Sequence, residues 1–132
     1  MHQKIVVSGV LTYKGKVLLV KRAPTEKFLP GNYEFPGGKV DFGETVDEAL
    51  KREFQEETQL VVDVEEFIRS FSYVTGERHT VELVFFVSSE SQEVQLSADH
   101  TDAQWVEPEK AVSLKISDQI MRTLEIIARF DE

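Results

Sequence analysis

Cysteine is absent from the 132 residues. That single absence removes a disulfide framework, a thiolate metal site and a thiol nucleophile. Long apolar runs are missing too. No stretch reaches bilayer-spanning length, and Met1-His2-Gln3-Lys4 leads straight into strand-like sequence rather than a secretory signal. Positive charge is scarce: 15 Lys and Arg face 24 Asp and Glu, for a net charge of −9. A surface this acidic repels polyanions and disfavours broad binding to DNA or RNA. It still admits a small phosphorylated substrate where metal ions and a few local Lys or Arg residues offset the repulsion. The simplest expectation is a cytoplasmic protein with neither a membrane nor a nucleic-acid polymer as partner. The 41% hydrophobic content is that of a soluble globular chain, and the length suits one domain over residues 1–132.

What is present reads as strands interleaved with two main helices. Ile5 to Tyr13 and Val17 to Lys21 are rich in β-branched and apolar residues, and Lys14-Gly15 between them signals a hairpin turn. Ala23 to Asn32 has two prolines and a glycine and predicts a loop, with a short strand at Tyr33-Glu34-Phe35 before the Gly37-Gly38 loop. Thr45 with Glu48 is a capping-box pattern opening a helix whose apolar side is Val46, Ala49, Leu50 and Phe54. Leu60 to Tyr73 and Thr80 to Ser88 predict a second hairpin turning near Gly76-Glu77. Ser91 to Asp102 is polar and predicts a loop, followed by a short strand at Gln104-Trp105-Val106 and a helical turn opened by Pro108. Ser117 caps a last helix with the stripe Ile120, Leu124, Ile127. Such a chain predicts a mixed sheet sandwiched between helices.

The run Arg52-Glu53-Phe54-Gln55-Glu56-Glu57 carries the chemistry. Positions i, i+3 and i+4 share one helical face, so Glu53, Glu56 and Glu57 crowd onto one patch. Like charges at that spacing destabilise a bare helix, and a hard divalent cation among them cancels the repulsion. Any one of these acids alone reads as a solvated helix face. The full spaced set does not.

From Gly38 the order is five residues, Glu44, seven residues, Arg52-Glu53-Phe54, one residue, Glu56-Glu57, one residue, Gln59-Leu60. This resembles the Nudix box, G-x5-E-x7-R-E-U-x-E-E-x-G-U with U apolar. Every defined position matches except the last glycine, which is Gln59 here. The resemblance implies an α/β/α sandwich that hydrolyses a nucleoside diphosphate linked to a further group, using Mg²⁺ or Mn²⁺. It assigns Glu53, Glu56 and Glu57 as metal ligands together with a backbone carbonyl from Gly37 or Gly38. Arg52 would orient the glutamates through its planar fork, and Glu44 would be a supporting ligand or a tether.

The run Asn32 to Lys39, the Lys21-Arg22-Ala23 segment and Trp105-Val106 look closest to the MutT-like subgroup. That likeness implies hydrolysis of a (deoxy)nucleoside triphosphate to the monophosphate and pyrophosphate, with nucleotide-pool sanitation as a role. Arg22 and Lys39 would meet phosphate, for which plain surface charge is the alternative. A further acid or base is expected before the Trp strand: Asp99, with Asp102 and His100 as competitors. Ser117 and Asp118 occupy the region expected to read the base, and Tyr73, Phe35 and Phe85 are candidates for an aromatic wall, core packing being the simpler role for Phe85. Hydrolases of ADP-ribose, nucleotide sugars or dinucleoside polyphosphates are alternatives, as is a nucleotide-sensing module without turnover. A monomer and a homodimer are both open.

Overall fold

The computed structural model describes residues 2–130. Strands β1 (His2–Tyr13) and β2 (Lys16–Arg22) form the expected hairpin. Lys14 (φ 51°) and Gly15 (φ 79°) both adopt left-handed backbone, which lets a two-residue turn follow the twist of its strands. After the loop come β3 (Tyr33–Glu34) and β4 (Gly37–Lys39).

The second of these corrects an expectation. Gly37 and Gly38 lie in a strand antiparallel to β1, opposite Ser8 and Val7, rather than in a loop. A Cβ on Gly37 would stand 2.1 Å from the Val7 carbonyl oxygen. The glycines are there for close backbone approach, not for a turn.

Helix α1 (Val46–Thr58) starts as the sequence predicts. Glu48 N–H donates to Thr45 Oγ1 at 3.1 Å, and Thr45 N–H donates to the Glu48 carboxylate at 3.4 Å. Gln59 closes the helix in left-handed conformation (φ 61°), its N–H donating to the Gln55 carbonyl. Glutamine thus takes the role glycine usually takes, at some conformational cost.

The second hairpin is β5 (Val62–Thr75) with β6 (Arg78–Ser89), longer towards the turn than the sequence predicts. Strand β7 (His100–Val106) starts at His100 instead of Gln104. It does so because Lys21 and Arg22 of β2 pair with Asp102 and His100 across a register shift. Pro108–Ser113 forms a 3-10 turn, and α2 (Asp118–Phe130) follows with Ser117 Oγ accepting from Ile120 N–H.

The sheet runs β3-β2-β1-β6-β5, with β4 also on β1 and β7 on β2. β1 and β6 are parallel, so the sheet is mixed. Ala49, Leu50 and Phe54 of α1 bury one face against Val7, Leu11 and Leu18. Ile120, Leu124 and Ile127 of α2 bury the other against Val10, Val17, Leu19 and Val84. The predicted sandwich is what forms. Among the described residues no helix is long and apolar enough to cross a membrane.

Candidate active site

Because Phe54 and Leu50 lock α1 onto the sheet, its opposite face holds Arg52 among carboxylates. The guanidinium forks onto Glu44, with Nε to Oε2 at 2.8 Å and NH2 to Oε1 at 2.9 Å. NH1 donates to Glu53 at 2.9 Å and to Glu56 at 3.3 Å, and NH2 donates to the Lys39 carbonyl at 3.0 Å. NH2 also lies 3.4 Å from Asp41 Oδ2, so one cation joins β4, the loop after it and four acids. Arg52 and the Asp41 N–H hold the Glu44 carboxyl down to about 2, and the acids hold Arg52 well above its ordinary range, Glu44 most of all.

Glu57 is in a different situation. It is 9% exposed, accepts from Gly37 N–H at 3.3 Å and lies under the influence of the Glu53 carboxyl. Burial, then the charges of Glu34 and Glu53, push it up to about 10. Burial also raises Glu53, although Arg52 works against that. Nearby, His100 is buried with Nε2 2.9 Å from Glu34 Oε2 and Nδ1 4.0 Å from Glu57 Oε1. His100 Nδ1 has no hydrogen-bond partner among the described residues.

Glu57, Glu34 and His100 line a cleft of about 560 Å³, whereas Glu44, Arg52, Glu53 and Glu56 lie outside its lining. Arg22, Lys39, Asp99 and Ser117 line it, as do Gly37, Gly38 and Glu57. Arg22 is already engaged, donating from Nε to the Phe28 carbonyl at 2.7 Å and from NH1 to Glu34 at 3.1 Å. Asp118 is exposed and lies outside the cleft lining. Asp102 is also outside, on β7, where its carboxylate accepts from Tyr33 OH at 2.5 Å. His100 is the first residue of β7 and buried, not a loop histidine in solvent. Tyr73 and Phe35 line the cleft, whereas Phe85 meets Phe67 edge-on beside the α1 core.

Sequence reasoning missed Glu34, Glu82 and Ser8. Glu82 did leave a signal: it is the one charge in Thr80-Val81-Glu82-Leu83-Val84-Phe85-Phe86-Val87-Ser88.

The donor set fits a hard divalent cation in chemistry. Glu53 and Glu57 bring carboxylate oxygens together, and a Cβ on Gly38 would meet the Glu53 carboxyl carbon at 2.5 Å, so the missing side chain keeps that corner open. Among the described residues, no three acidic or histidine side chains converge enough to cage an ion unaided. Mg²⁺ does not need such a cage, since it retains waters and takes one or two carboxylates plus substrate phosphates. Glu56, 57% exposed, is drawn to Arg52.

A NUDIX domain model matches residues 2–129. The chain belongs to the NUDIX family. It is 28% identical to the nucleoside triphosphatase NudI of Escherichia coli O139:H28, over 96% of this chain and 97% of that protein. Its structure is similar to the MutT protein of Methanosarcina mazei Go1, with TM-score 0.89, 25% identity and coverage of 98% and 96%. The Escherichia coli ORF135 protein is similar at TM-score 0.82 and 26% identity, over 99% of this chain and 92% of that one. The NUDIX match spans both the Arg52 cluster and the cleft.

Proposed function

We propose that this NUDIX protein is a Mg²⁺- or Mn²⁺-dependent pyrophosphohydrolase that converts a nucleoside triphosphate to the monophosphate and pyrophosphate. The observation that carries the reading is the cleft itself. One cavity joins Glu57 and the Gly37-Gly38 strand to Arg22, Lys39 and an aromatic wall of Phe28, Tyr73 and Phe71. It therefore offers a polar corner for a polyphosphate and flat apolar surface for a base. The name of the NudI relative, a nucleoside triphosphatase, supports the same substrate class.

Glu53, Glu56 and Glu57 are the cation ligands in this reading, with a carbonyl of Gly37 or Gly38. A bound Mg²⁺ or Mn²⁺ supplies charge neutralisation at the phosphate oxygens. Arg52 and Glu44 hold Glu53 and Glu56 in place before substrate arrives, so little reorganisation is left for the reaction. Arg22 and Lys39 meet phosphate oxygens, with Arg22 exchanging its bond to Glu34 for one to substrate. Asp99 is a further acid at the exposed rim, and Ser117 a polar group at the cleft wall. No covalent enzyme intermediate is required.

The test is an assay in Mg²⁺ against nucleoside triphosphates, ADP-ribose, nucleotide sugars and dinucleoside polyphosphates, with products identified. Nucleoside triphosphates should give monophosphate and pyrophosphate, and Glu53→Gln should lower turnover about 10²–10³-fold with the fold retained. Cleavage of only the other compounds would move the substrate. Tight binding without cleavage across the panel would make the protein a sensor and overturn the reading.

A further inference from the structure

Glu82 is a carboxylate where β6 should present an apolar residue. On the same side of that strand Val84 belongs to the core under α2, while Thr80 and Glu82 line the cleft. A carboxylate can accept about four hydrogen bonds. Among the described residues Glu82 accepts one from a side chain, Ser8 Oγ at 3.1 Å. Arg69, one of the cations acting on it, is engaged elsewhere, on Gln119 and Thr123. Burying an under-satisfied acceptor is costly, so its place in a cleft wall points to a ligand donor.

The surroundings say which kind. Across the β5–β6 ladder Phe71 pairs with Glu82 and Tyr73 with Thr80. Phe28 stacks on Tyr73 at 5.9 Å with ring planes 3° apart, and Phe71 continues the row at 6.2 Å. Glu82 thus stands beside the aromatic row in the wall of the same cleft. We propose that Glu82 is a specificity-determining residue whose carboxyl group accepts a hydrogen bond from the exocyclic amino group of the substrate's base, selecting amino-bearing bases over those with a carbonyl oxygen at that position. The proposal rests on the nucleotide reading above and deepens it by naming the base chemistry.

Ser8 holds the carboxyl in place through Oε2. A carbonyl oxygen turned to the carboxylate would face lone pairs and leave both groups desolvated without a partner. Sites built around a substrate N–H discriminate strongly for that reason. Burial, with the charge of Glu34 adding to it, pushes Glu82 up to about 7. The comparison is therefore made at pH 8.5, where the carboxylate has no proton to offer a carbonyl.

The experiment measures binding of nucleoside 5′-monophosphates by calorimetry at pH 8.5, pairing cytidine with uridine and adenosine with inosine. Triphosphate hydrolysis is followed in parallel, with wild type and Glu82→Gln. Wild type should bind the amino member of at least one pair about 10-fold tighter, and Glu82→Gln, whose amide can donate to a carbonyl, should shrink the ratio to within about 2-fold. Equal binding of both members, an unchanged ratio in the variant, or no binding at all overturns the proposal. Amino preference in binding without triphosphate cleavage keeps it and overturns the triphosphate reading. Cleavage without amino preference does the reverse.

Discussion

Two sets of glutamates, one gathered by Arg52 and one buried in the cleft, differ in what holds them. Glu44, Glu53 and Glu56 share Arg52, which pulls Glu44 down to about 2. Glu57 and Glu82 stand in the cleft without such a partner and are pushed up, to about 10 and about 7, by burial before any other cause. Residue type is the same in both sets. The difference is one planar cation and the depth of burial. The first set is held by Arg52 as a frame, and Glu53, itself raised by burial, joins that frame to the second set. The second is incomplete, which is the condition expected of groups that receive a cation or a ligand.

Removing the frame is the strongest way to break this contrast. Arg52→Ala should leave Glu44, Glu53 and Glu56 repelling one another, cutting turnover about 10²–10³-fold and costing about 2 kcal/mol of stability. Kinetics with a denaturant melt would show both losses together, and loss of stability alone would mean the frame is not catalytic.

The pH response of the second set comes next. Glu82 has a folded pKa of about 7 against an ordinary value of 4.5, so between those values the folded state binds more protons than the unfolded one. Its contribution falls as pH rises through that window, by up to about 3 kcal/mol, and is flat above pH 7. Denaturant melts from pH 4.5 to 8 should show Glu82→Gln flattening the slope and gaining stability at the alkaline end. Parallel profiles for variant and wild type would contradict that.

The smallest effect belongs to the helix end. Gln59→Gly should gain about 0.5–1 kcal/mol in a melt by relieving the left-handed φ of 61°, with turnover unchanged. A large change in activity would show that Gln59 influences the cluster after all.

The features legible in the sequence are those set by neighbours along the chain. The capping box of Thr45 and Glu48, the turn at Lys14-Gly15 and the stripe Ile120, Leu124, Ile127 each lie within a few residues. Glu53 and Glu56 beside Arg52 are equally readable, because helical spacing places them. What was not readable depends on pairing between distant strands. His100 comes to Glu34 only because β7 extends along β2 as far as Arg22. Gly37-Gly38 is a strand only because β1 passes close enough to accept it. Glu82 and Ser8 meet through the parallel β1–β6 register, which no local pattern reveals. The cleft is made of these long-range contacts, and the frame is made of short ones.

The most direct measurement pairs heat stability with turnover for Glu57→Gln. Melts at pH 8 without divalent cation report the burden of the buried acid, and an assay in Mg²⁺ with nucleoside triphosphates reports its use. The variant should have a higher Tm than wild type and turnover near background. A variant that melts lower, or that hydrolyses nucleoside triphosphates at the wild-type rate, would contradict the claim that Glu57 is held in the cleft for a cation.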